Sequence, residues 1–187
     1  MYKYQYPSDK IFLKATHNLN NALQWVNTGD YWHQLSHLKS TFFLAQDSDE
    51  HNENDIISDI KTTNKTALTM MPMNPYAWYD KAFIDSLYQE VPNSSLIAIK
   101  MSAYAERVNH KLLKPRVMFL WENHHKLDNE LRASFKSQLL LLWQLRRNDL
   151  VEVINKHPDI QYSIFDLLSN SPDDLTTFSD ILIKQGL

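Results

Sequence analysis

Apolar residues recur along this chain at alternating steps of three and four, the spacing that lines one face of an α-helix. Phe12, Ala15, Leu19, Ala22, Leu23 and Val26 predict a first helix, with Ser8 placed to cap it. Thr28-Gly29-Asp30 reads as a stop followed by a fresh cap, and Tyr31, Leu35, Leu38, Phe42 and Ala45 then form a second stripe. These two elements predict an N-terminal hairpin over residues 8–46, and the acidic, polar run over residues 47–55 predicts a loop and a candidate boundary. Ile56, Ile60, Ala67 and Met71 form a weaker stripe, interrupted by the threonine-rich Lys61–Thr66 segment, whose residue types favour helix poorly.

From Pro72 the pattern repeats at shorter intervals. Trp78, Tyr79, Ala82, Phe83 and Leu87 predict a helix over residues 75–90, broken by Val91-Pro92-Asn93. Ser94 or Ser95 is placed to cap the next, with Ile97, Met101, Tyr104, Ala105 and Val108 as its expected core face. Pro115 sits in the first turn of a short helix carrying Val117, Leu120 and Trp121. Asp128 is placed to cap a helix with Leu131, Phe135, Leu139, Leu142 and Trp143, and Asp149 with Glu152 has capping-box spacing ahead of Ile154. His157-Pro158 ends that turn, and Ile164, Leu167 and Leu168 form a short segment. Ser171-Pro172-Asp173-Asp174 starts a last helix with Leu175, Phe178, Ile181 and Leu182. No run of alternating β-branched residues bounded by turn dipeptides interrupts the series. The expected fold is all-α, about eight or nine helices in stacked antiparallel hairpins. They form one domain over residues 1–187, with a core at 56–156 and capping helices at 159–187.

Composition sharpens this picture at three points. The chain holds only two glycines, Gly29 and Gly186, which leaves no Gly-rich phosphate cradle and little room for tight hairpins. It holds no cysteine, which excludes disulfides, thiolate metal sites and a cysteine nucleophile. The formal net charge of −3 gives no general pull toward nucleic acid, and no nucleic-acid partner is expected. No apolar run approaches bilayer length and no apolar stretch follows the first ten residues, so a soluble chain without a membrane span is expected.

The handover from Pro72 through Pro75 to Trp78, with Ala82 one turn on, resembles the junction between two tetratricopeptide repeats. A longer likeness runs from Ala67 to Ile154. It consists of Asn-Pro-Tyr-Ala-Trp at 74–78, Ile-Lys-Met-Ser at 99–102, Lys-Pro-Arg at 114–116, Leu-Trp at 120–121, Leu-Asp-Asn-Glu-Leu-Arg at 127–132 and Leu-Leu-Trp at 141–143. This order is similar to small bacterial repeat proteins associated with exopolysaccharide or O-antigen production. The resemblance implies a stacked-hairpin scaffold in a cell-envelope setting and carries no catalytic residue across. Proteins of that kind often have an N-terminal membrane anchor, and this chain departs from them there.

Each candidate for chemistry has a structural account beside it. His33 and His37, one turn apart, could chelate a metal, but no third ligand is evident and their face lies off the Tyr31–Leu35–Leu38 stripe, where solvent is expected. Glu122 with His124 and His125 could hold a general base, whereas histidines near a helix C-terminus and Asp128 at a cap have structural roles. The acidic run beginning at Asp47 fails the EF-hand pattern, with Asn52 and Ser58 where glycine and glutamate are required. Arg107, Lys111, Lys114, Arg116, Arg146 and Arg147 form a local basic cluster whose nearby aromatics sit on core stripes. Among the tryptophans, Trp32 is the one expected at the surface.

The function these patterns favour is non-catalytic: a scaffold or adaptor that grips a partner protein or peptide segment, using no cofactor and no metal. Tyr79, Tyr88, Arg107 and Trp32 are the candidate groove residues, since they fall off the main stripes. The alternative is a helical-bundle metal-binding protein or enzyme using His33 and His37, or Glu122 and His124. Phe178, Ile181 and Leu182 are a candidate surface for homo-oligomerisation.

Overall fold

In a computed structural model, residues 9–45, 53–87 and 91–186 are described, and among them the chain is all helical. Ten α-helices occur where eight or nine are expected. They are α1 (Asp9–Trp25), α2 (Gly29–Ala45), α3 (Glu53–Met70), α4 (Pro75–Ser86), α5 (Asn93–Ala105), α6 (Leu113–Glu122), α7 (Asn129–Leu145), α8 (Arg147–Lys156), α9 (Ile160–Leu168) and α10 (Pro172–Gln185). A short 3-10 turn, His124–Lys126, precedes α7. Ser8, Tyr88 and residues 46–52 of the acidic segment lie outside the described residues. The chain divides into two compact units, Met1–Glu106 and Arg107–Leu187.

In the first unit each helix packs on the next in sequence, and α2 also reaches α4. The helices flanking the acidic segment, α2 and α3, therefore share a unit. Gly29 sits at the start of α2 for want of space, not to provide a left-handed turn: a Cβ there would lie 2.4 Å from Met71 Cγ at the end of α3. Positive φ occurs only at Gly186 among the described residues, where it closes α10.

The threonine-rich stretch does not break α3. The hydroxyls of Thr62, Thr63, Thr66 and Thr69 donate to the carbonyls of Ser58, Asp59, Thr62 and Lys65, one turn back, at 2.8–3.0 Å. Each hydroxyl finds its partner inside the helix that its residue type was expected to weaken. The handover to α4 follows its sequence signals closely. Asn74 Oδ1 accepts from the Tyr76 and Ala77 amides at 3.0 and 3.1 Å, Pro75 follows at the first helical position, and the Trp78 indole N–H donates to the Pro72 carbonyl at 2.7 Å.

The α5 face differs from the expected one. Ser95, Leu96, Ala98, Ile99 and Ser102 are buried, while Ile97 and Tyr104 are 58% and 75% exposed and Val108 lies beyond the helix end. Small residues permit the close approach of α4, and Ser102 Oγ donates to the Pro75 carbonyl at 2.6 Å. A buried serine stripe is invisible to a pattern that counts serine as polar. Neither Ser94 nor Ser95 caps α5: Ser95 is inside the helix, and Ser94 Oγ donates to Asp85 Oδ2 at 3.1 Å.

The second unit surrounds α7, which contacts α6, α8 and α9, while α10 packs on α9. Its core holds Leu113, Val117, Leu120, Leu139, Leu142, Trp143, Leu150, Ile164 and Phe178. Asp128 caps α7 as expected, accepting from the Leu131 amide at 2.8 Å. Asp149 and Glu152 make no capping box at α8. Asp149 pairs with Arg146 at 2.9 Å and Glu152 with Lys114, because the helix begins at Arg147 and draws both carboxylates to basic side chains. Phe178 meets the Trp143 and Phe165 rings edge-on, at centroid distances of 5.7 and 5.1 Å. With Leu182 it belongs to the unit's own interior and offers no surface to a second copy.

Candidate functional site

Helices α3 and α4 of the first unit form the walls of an open cavity of about 440 Å³. Its apolar surface comes from Leu68, the Trp78 ring and Ile84, the last of these only 1% exposed. Lys61 and Lys65 stand one turn apart on α3, and Lys81 enters from α4. The polar groups in the walls already have partners. Asn64 is buried and donates to the Ala77 carbonyl at 3.1 Å, and the indole N–H of Trp78 is held by Pro72. Asp85, the one carboxylate in the lining, lies 2.7 Å from Lys81 and 3.8 Å from Lys61. What remains to an occupant is an apolar wall and a surplus of ammonium groups. A cavity of this size suits a side chain or two, with polar groups setting orientation.

On another side of α4, the largely buried Asp80 meets two imidazoles from α2. His33 Nε2 lies 3.0 Å from Oδ2, and His37 Nδ1 lies 3.3 and 3.2 Å from the two oxygens. The Tyr76 ring flanks His33 at 6.2 Å between centroids. Burial alone would push the Asp80 carboxyl up, but the hydrogen bonds from His33 and His37 and the charge they carry hold it below the ordinary carboxylate value. The hydrogen bond to Asp80 raises His37 above the ordinary imidazole value, against the opposing effect of its partial burial. The expectation that this histidine pair faces solvent is therefore corrected: His33 is inside, and both rings point at α4. The pair is a helix-to-helix clamp. Among the described residues no group of three or more His, Cys, Asp or Glu is arranged to hold a metal ion.

The second histidine candidate comes apart. Glu122 pairs with His157 at 3.6 Å, whereas His124 Nδ1 bonds to the Trp121 carbonyl at 2.7 Å and its ring stacks on that indole. The basic cluster is likewise dispersed. Arg116 is fully buried, Lys114 pairs with Glu152, Arg146 pairs with Asp149, and Arg147 lies over the Trp143 ring at 4.4 Å.

Of the candidate groove residues, Trp32 is half-buried with its indole N–H donating to Asn27 at 2.7 Å. The exposed tryptophan is instead Trp25, at 87%, because it ends α1. Tyr79 is half-buried on α4, and Arg107 is exposed in the second unit, where it donates to Ser137 at 2.9 Å. None of these three lines the α3–α4 cavity. Sequence reasoning passed over its lysines because Lys61 and Lys65 looked like weak points in a helix and Lys81 like an ordinary solvated residue. The signal available was the i, i+4 repeat of Lys61 and Lys65 just before the Trp78 handover. Among the described residues no helix is long and apolar enough to cross a membrane. Comparison with known proteins finds no matching family model, no matching curated protein and no matching solved structure.

Proposed function

We propose that this chain is a non-catalytic interaction module whose first unit receives a segment of a partner protein in the groove between α3 and α4. One observation carries the reading: Asn64, Asp85 and the Trp78 N–H are all paired within the walls, while Leu68, Trp78 and Ile84 leave apolar surface open between lysines. A site built for bond-making holds a nucleophile or a base aimed at the substrate. Here the one carboxylate is tied to ammonium groups and the remainder is contact surface, which is the anatomy of a docking patch with a charged rim.

Bacterial envelope polysaccharide assembly is the setting we propose, and it rests on the motif resemblance from Ala67 to Ile154 alone. The test is a photo-crosslinking side chain placed at Leu68 in the full chain inside its native cell, with and without Trp78→Ala. A discrete crosslinked partner that disappears in the variant supports the reading. A pattern indifferent to Trp78, or no protein crosslink in the presence of correctly folded chain, overturns it.

A further inference from the structure

The charges around this groove are unbalanced in a way that folding alone does not call for. Lys61 and Lys65 are like charges at i and i+4 on α3, a spacing that weakens an isolated helix by a few tenths of a kcal/mol. Lys81 adds a third ammonium from α4, against the single carboxylate of Asp85. Asp85 is drawn closer to Lys81 than to Lys61, and Lys65 has no acidic partner among the described residues. The surplus is positive in a chain whose formal net charge is −3, so it is a local feature of the groove and not a reflection of composition.

We infer that the groove's occupant is an acidic peptide segment of a partner protein, carrying a bulky apolar side chain that packs on Trp78 and Leu68 while its carboxylates meet Lys61, Lys65 and Lys81. This rests on the docking reading above and supplies the partner's chemistry. The indole N–H bond to Pro72 holds the Trp78 ring in place before anything binds, so an incoming side chain meets a wall that is already ordered. The lysines set which segments approach, since charge complementarity governs partner choice and encounter rate more than total affinity. A single-stranded nucleic acid would also meet lysines and an aromatic ring. It gains its affinity from a succession of stacking platforms, and this lining holds one aromatic beside two aliphatic walls.

The experiment measures binding of the full chain to labelled synthetic peptides by fluorescence anisotropy. One peptide alternates Glu with Leu and Phe, a second replaces each Glu with Lys, a third keeps Glu and replaces the apolar residues with Ser, and a thymidine oligonucleotide is the fourth probe. The acidic apolar peptide is expected to bind, to weaken as salt is raised, and to lose roughly tenfold in affinity with Lys65→Glu. That substitution lies on an exposed helix face, and circular dichroism confirms the fold is kept. The second and third peptides are expected to bind at least tenfold more weakly. Equal or tighter Trp78-dependent binding of the Lys-bearing peptide overturns the acidic assignment and leaves docking in this groove intact. Preferred binding of the oligonucleotide, or no binding by any probe, also overturns the acidic assignment. In those cases the Leu68 crosslinking experiment decides separately whether a protein segment docks there.

Discussion

Asp80 Oδ2 lies 3.2 Å from His37 Nδ1, joining α4 to α2 across 43 residues of sequence. The same carboxylate binds His33, so α4 is held from α2 on one side while its Trp78 and Lys81 line the cavity shared with α3. Fixing α4 between two neighbours is what keeps the groove's wall in position.

This clamp makes the first unit's stability depend on pH in two limbs. His37 is raised from 6.5, so its contribution is complete below that value and is lost as pH climbs through the higher folded value. Asp80 is lowered from 3.8, so its contribution is complete above that value and is lost as pH falls through the lower folded value. The clamp is therefore strongest between pH 3.8 and 6.5. His37 is 64% exposed, so solvent screening limits its share to about 0.5 kcal/mol. Urea unfolding across pH should show His37→Gln flattening the alkaline limb. Asp80→Asn should cost about 1–3 kcal/mol near pH 6, since it removes a buried acceptor from two imidazoles. An alkaline limb unchanged by His37→Gln would show that the ring contributes nothing to the clamp.

Gly29→Ala is expected to destabilise the first unit by about 1–3 kcal/mol, although alanine is the better helix former. The added Cβ would meet Met71 Cγ at 2.4 Å, closer than packed atoms tolerate. Shortening the neighbour should recover part of the loss, so the double variant Gly29→Ala with Met71→Ala should fall less than the sum of the single losses. A thermal melt in which Gly29→Ala raises the midpoint would mean that the end of α3 moves away at little cost.

How much could be read in advance depended on how local each determinant is. The Pro72–Trp78 handover and the Asp128 cap were legible because their bonds close within six residues or fewer. His33 and His37 were misplaced because their partner lies 47 and 43 residues on, and nothing near Asp80 marks it as their acceptor. The α5 face was misread because Ser95 and Ser102 take core positions through close packing, leaving Ile97 and Tyr104 outside. The groove falls in the same class: Lys61, Lys65 and Lys81 become one site only when α3 and α4 are laid together.

Phe178→Ala should cost the second unit about 3–5 kcal/mol and leave its oligomeric state unchanged. The ring is 1% exposed and fills the angle between Trp143 and Phe165. The Trp143 indole N–H is also held by Asp174 Oδ1 at 3.1 Å, so α7 and α10 are joined by both packing and a hydrogen bond. Light scattering alongside denaturation is the check. Dissociation of an oligomer without loss of stability would place Phe178 at an interface between copies.

Ser95→Ala is the substitution expected to stabilise. Its Oγ is buried without a hydrogen-bond partner, a state that costs about 1–3 kcal/mol relative to a satisfied or absent hydroxyl. Serines deeper in a helix donate to the carbonyl one turn back, as Ser40 does to Ser36 at 2.9 Å. Ser95 sits in the first turn of α5, where the residue four back lies before the helix and that route is closed. Alanine removes the orphaned oxygen, fits the same space and has the higher helix propensity, so the gain should be about 1 kcal/mol. Ser102→Ala is the contrasting control: its hydroxyl is bonded to the Pro75 carbonyl at 2.6 Å, and removing it should cost about 1 kcal/mol by loosening α5 from the start of α4. If both serines lose stability equally in matched urea titrations, the Ser95 hydroxyl has a partner in solution and the assignment of an orphan is wrong.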